Sequence, residues 1–170
     1  MDIRAKRSRE KIINTFLALR KKKRLEKITV TEISEISNIN KSTFYAHFHD
    51  IYDLSDFVET QLVQEILSTV QNPENIINDK KQFTLDIAKA YTSYSDKIKL
   101  LFSGSRSDVL PHKLSQSFKE YIFEKHPEYK DDPEMNIALS YSIYGGFYAY
   151  NNNLQYGTDV IVKVLSEVQK

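Results

Sequence analysis

Apolar residues recur along this chain at helical spacing, and no stretch shows the strict alternation of a half-buried strand. Ile12, Phe16 and Leu19 fall at i, i+4, i+7, which predicts a first helix from a Ser8 cap to residue 20 or 23. Residues 1–7 then form a flexible arm carrying Arg4, Lys6 and Arg7. Leu54, Val58, Leu62 and Ile66 repeat every four residues along a long helix over 50–71, capped by Asp50 and ended by Asn72 and Pro73. Phe83, Ile87, Ala90, Tyr91, Tyr94 and Ile98 share one side of a helix over 79–103. A loop over 104–111, a helix over 112–126 and a polar linker over 127–134 come next. A helix from Pro133 to residue 155 and a last amphipathic helix with Val160, Ile161, Val164, Leu165 and Val168 complete an all-α chain of about nine helices.

Residues 28–48 are the most informative segment. Thr29 is an N-cap with Glu32 three residues later, a capping box, and Ile28 and Ile33 occupy the staple positions around it. The grammar repeats at once: Asn40 is a second cap, with Ile39 and Phe44 at its staple positions. Between them Asn38 is one of the few non-glycine types that tolerates the left-handed backbone of a sharp turn. Helix, turn and short helix is the helix-turn-helix plan, whose second helix enters the DNA major groove.

Thr29, Val30, Ile33, Asn38, Ile39, Thr43, Tyr45, His47 and Phe48 stand in the register of the TetR family's DNA-binding signature, which this segment resembles. Ser34, Ser37, Asn38, Asn40 and Ser42 replace residues common in that pattern, and Ile51 stands where many members carry Lys. The resemblance implies an N-terminal three-helix head over 1–50 and a helical effector-binding and dimerisation body over 51–170, joined through the helix from residue 51. It also implies a homodimer on a palindromic double-stranded DNA operator, with a small-molecule effector of unknown identity.

Charge agrees with such a head. Residues 1–50 hold 12 Lys and Arg against 6 Asp and Glu, net +6, whereas the rest of the chain is net −5. A basic module on an acidic body is the electrostatic footprint of nucleic-acid binding. The run from Arg20 to Arg24 suits both a helix C-terminus and DNA phosphates.

By position, the expected DNA contacts are Lys6, Arg7, Thr29, Thr31, Lys41, Ser42, Thr43, Tyr45 and His47. Lys41 and Tyr45 fit phosphates, as does the second helix's N-terminus, while Ser42, Thr43 and His47 reach base edges or phosphates. The arm is placed to enter an adjacent minor groove. Phe44 and Phe48 lie one turn apart on a second helix running from Lys41 to about His49 and should face the head's core.

The body is rich in tyrosine, a residue suited to pockets and interfaces. Tyr91, Tyr94, Phe102, Tyr141 and Tyr144 are the candidate effector pocket. Gly145, Gly146, Tyr148, Val160 and Val164 are the candidate dimer interface, the glycines permitting close helix approach. Tyr141, Tyr144 and Tyr148 fall at i, i+3, i+7, a stripe that also fits core or dimer packing.

No cysteine is present, which excludes disulfides and thiolate metal sites. His47 and His49, two apart on a helix, point to different faces and make a poor chelate, so no metal and no cofactor is expected. No catalytic pair stands at a working spacing, so an enzyme is not expected. No apolar run nears the ~20 residues of a membrane helix, and the N-terminus lacks a signal peptide's apolar stretch. The expectation is a cytoplasmic transcription regulator without membrane contact, most naturally a repressor. The alternative is a DNA-binding regulator whose body takes a protein partner or acts as a ligand-dependent activator.

Overall fold

The computed structural model describes residues 3–168, and among them the chain is all-α with no strand. Helix α1 (Ile3–Arg20) presents Ile12, Phe16 and Leu19 to the core, as their spacing requires. It starts earlier than the pattern suggests. Residues 3–7 are helical, so the arm reading does not hold for them; Met1 and Asp2 lie outside the described residues. Arg, Ala, Lys and Glu are all good helix formers. Ser8 does not cap the helix but bonds back to the Ala5 carbonyl, 2.9 Å away, inside it.

A 3₁₀ turn (Leu25–Lys27) leads into α2 (Val30–Ser37) and α3 (Lys41–Tyr45). Helix α4 (Ile51–Ser68) buries Leu54, Val58, Leu62 and Ile66, its four-residue repeat. The short α5 (Asn75–Asn78) precedes α6 (Lys80–Ser93) and α7 (Ser95–Leu101), two helices where the apolar spacing predicts one. They part at Tyr94, just past Thr92, whose Oγ1 donates to the Ala88 carbonyl at 2.8 Å, and between Ser93 and Ser95, residues of low helix preference. Helix α8 (Val109–Lys125) begins inside the expected loop, because Pro111 falls in its first turn, where no N–H is needed.

The helix expected from Pro133 to residue 155 is broken into α9 (Pro133–Ser140), a π turn (Tyr141–Gly145) and α10 (Gly146–Asn151). A Cβ at Gly145 would meet nothing within 4 Å, so no other helix of this chain closes on it. The final helix α11 (Thr158–Val168) comes after Gly157, which adopts φ +84°.

One hydrophobic cluster runs from Ile12 and Phe16 through Phe44 and Leu54 to Phe118 and Ile143. A smaller one ties α6 to α10 and α11 through Ala88, Tyr150, Ile161 and Val162. Fully burying a side chain such as Phe16 or Phe118 contributes about 1.5–3 kcal/mol. No helix among the described residues is long and apolar enough to cross a membrane.

Candidate nucleic-acid interface

Three local devices shape the segment from Thr29 to Asp50. Thr29 Oγ1 accepts from Glu32 N–H at 3.2 Å and starts α2. The other half of the expected capping box is absent: Glu32 instead takes Lys23 Nζ at 2.6 Å. Asn38 turns the chain at φ 53°, ψ 54°, the left-handed conformation expected of it. Ile28, Ile33 and Phe44 are buried and Ile39 is half-buried, so both staple pairs pin their helices to the core. Asn40 sits at the expected cap position of α3, but its side chain makes no cap bond.

Helix α3 is one short turn, and the chain leaves it at Ala46 rather than at His49. The positive charge of Lys41, not a long helix dipole, is therefore what it offers a phosphate. Lys41, Ser42 and Tyr45 are exposed and Thr43 is half-buried. Tyr45 sets its ring edge-on to Phe44, with centroids 5.6 Å apart, and is 56% exposed. Thr31 is exposed, as are Lys6 and Arg7 on the first turns of α1.

His47 is held differently. Its Nε2 lies 2.7 Å from Ser8 Oγ on α1, and the ring is half-buried. Burial, with the Arg9 guanidinium adding to it, lowers the His47 pKa. Arg9 itself lies over Phe57, 4.0 Å from the ring centroid, and near Phe48. Ser8, Arg9 and His47 thus lock α1 against the end of the turn, a relationship no local pattern in the sequence announces.

The basic run is also divided. Arg20 is buried and donates to the Leu100 and Leu101 carbonyls at 2.8 and 3.3 Å, while Lys23 pairs with Glu32. Lys21, Lys22, Arg24 and Lys27 remain exposed. At the start of α4, Asp50 accepts from Asp53 N–H and Asp53 accepts from His49 N–H, both at 2.8 Å. Two carboxylates occupy that helix end, and Ile51 is buried, so this terminus does not offer itself to a phosphate.

In the body, a cavity of ≈ 80 Å³ lies between α6, α8, α10, α11 and the π turn. Of the expected pocket residues only Tyr91 lines it. Phe102 is buried in the main core and Tyr94 packs against that core. Tyr141 is exposed, and Tyr144 sets its hydroxyl 3.2 Å from His112 Nδ1. A π turn carries one extra residue, which rotates the next helical turns by about 100° and breaks a stripe drawn on α-helical spacing. Phe118, Ile143, Tyr150 and Asn151 are lining residues that the pattern did not single out.

Of the expected dimer residues, Val160 is 53% exposed, Val164 49% and Tyr148 40%, which leaves an apolar surface on α10 and α11. Gly145 is exposed and Gly146 half-buried at the same corner. Among the described residues no group of three His, Asp or Glu is placed to hold a metal ion. No family model, curated protein or solved structure matches the chain.

Proposed function

We propose that this chain is a sequence-specific DNA-binding transcription regulator of the TetR type, a cytoplasmic homodimeric repressor whose grip on a palindromic operator a small molecule relieves. The observation that carries it is the α2–α3 pair: two short helices joined through left-handed Asn38, both stapled to the core. Their free side carries Lys41, Ser42, Thr43 and Tyr45. The net +6 of residues 1–50 supplies the sequence-independent attraction to phosphates. The exposed Val160 and Val164 on α11 support pairing of two copies, which would give two heads for two half-sites.

The test is selection of genomic fragments by the purified protein near physiological salt, with the recovered fragments then sequenced. Enrichment of one two-fold symmetric site is the expected result. Uniform recovery that vanishes as salt rises would reduce the activity to non-specific binding and overturn the reading. A second reading keeps the head and gives the body a protein partner. It is favoured by Ile137 and Tyr141, 69% and 68% exposed, which extend apolar surface onto α9 and the π turn.

A further inference from the structure

The cavity between α6, α8, α10 and α11 has a definite chemical character. We propose that it binds a small uncharged molecule with an apolar body and a hydrogen-bond-donor head, the size of a short-chain alcohol.

Size sets the first limit. At ≈ 80 Å³ the cavity is roughly half the volume of the ~150 Å³ engineered cavity that takes benzene. Charge sets the second. Among the described residues that line it, none is ionisable to a cation or a carboxylate; the walls are mainly Phe83, Phe118, Ile143 and their neighbours. An ion would enter such a site unpaired and lose its hydration without compensation.

Hydrogen bonding sets the third. Tyr91 donates its one hydroxyl proton to Asn151 Oδ1 at 2.6 Å. Asn151 is held in that orientation because its Nδ2 donates to the Phe147 carbonyl at 2.8 Å. The Tyr91 oxygen therefore presents lone pairs, not a proton, to an occupant. Thr84, also on the wall, has likewise committed its proton, to the Lys80 carbonyl at 2.8 Å. Burial raises the Tyr91 pKa, which keeps the phenol protonated and donating to Asn151. A guest that brings a donor is satisfied at Tyr91 and Thr84; of the other hydroxyls on the wall, Tyr150 shares a proton with Thr158 Oγ1 at 3.3 Å, and Ser142 can donate as well as accept.

Helix α11 turns Val162 and Leu165 into the cavity and exposes Val160 and Val164 on its other side. An occupant thus presses on the helix that carries the proposed dimer face. That consequence rests on the dimeric-regulator reading, but binding does not, and it is measured on the free protein.

The experiment is a methyl-NMR titration of the full chain with four probes of matched size: 1-butanol, its isomer diethyl ether, butyrate and butylammonium. 1-Butanol is expected to shift the Ile87, Ala88 and Val162 methyls saturably. The ether, which cannot donate, binds about ten-fold more weakly, the worth of one hydrogen bond. The two ions cause no saturable shift. Tyr91→Phe together with Asn151→Leu removes the phenol oxygen and the amide oxygen it would otherwise free, and brings the alcohol down to the ether's affinity, and Ala88→Met fills the space and abolishes both. Equal affinity for alcohol and ether, saturable binding of either ion, or no saturable shift with the alcohol would each overturn the proposal.

Discussion

The guanidinium of Arg106 closes as a fork on the carboxylate of Glu59, whose side chain no solvent reaches. Nε donates to Glu59 Oε1 at 2.9 Å while Ser55 Oγ donates to the same oxygen at 2.7 Å. The Glu59 carboxylate holds the Arg106 pKa above its ordinary value. Removing one partner strands the other: Arg106→Ala should cost about 3–5 kcal/mol, while the double replacement Glu59→Leu with Arg106→Met should recover most of it. Urea unfolding measures both. A loss below ~1 kcal/mol for the single variant would contradict the geometry.

Asn38 is the one non-glycine residue among those described with a positive φ. Asn38→Gly is expected to be nearly neutral in thermal unfolding, and Asn38→Ala to cost about 1–2 kcal/mol, the strain of a Cβ in left-handed backbone. Equal melting temperatures for the two would mean that the turn relaxes into another conformation.

The exposed face of α3 makes a distinct claim. Lys41→Ala should leave the circular dichroism spectrum intact, weaken DNA binding on every sequence and reduce the salt slope of log K by about 1. Tyr45→Ala should weaken binding without changing that slope. Fluorescence anisotropy at several salt concentrations separates the two effects, and unchanged affinity in both variants would put the contact face elsewhere.

His47 gives the head a pH response whose sign is fixed. Its folded pKa lies below the ordinary value, so the folded state resists protonation that the unfolded chain accepts. Its stabilising effect is complete above the unfolded value of about 6.5 and is lost as pH falls from there through the folded pKa. His47→Gln should flatten that part of the stability profile. Denaturation midpoints recorded from neutral to mildly acidic pH test it, and a His47→Gln profile parallel to the parent's would assign the acid sensitivity to another group.

Val160→Lys together with Val164→Lys should convert a dimer to a monomer in light scattering, at little cost to the fold, because both side chains are already half exposed. A dimer that survives both charges would move the interface off α11.

Local relationships were the legible ones in the sequence. Thr29, Asn38 and Asp50 each act on a backbone group within four residues, so spacing and residue type sufficed to place them. The apolar faces of α1 and α4 were legible for the same reason. Arg20, Glu59 and Ser8 were not, because their partners lie 80, 47 and 39 residues away and a charged or hydroxyl residue reads as solvated until its partner is known. The tyrosines of the body failed differently. Tyr141 falls on an α-helical stripe that the π turn rotates out of line. The run Asn151, Asn152 and Asn153, opaque as sequence, is bonded at two of its positions: Asn151 binds Tyr91, and Asn153 Nδ2 donates to the Ala149 carbonyl at 2.8 Å.

Arg20 has a consequence for how such a protein can be rebuilt. It belongs to the first helix, yet its guanidinium terminates α7 by holding the Leu100 and Leu101 carbonyls, and Ser103 Oγ beside them. A chimaera that grafts the N-terminal helices onto foreign C-terminal ones must carry residues 100–103 with them, or supply carbonyls in the same place. The natural seam for exchange is therefore not a single cut in the chain but a pair of segments about 80 residues apart.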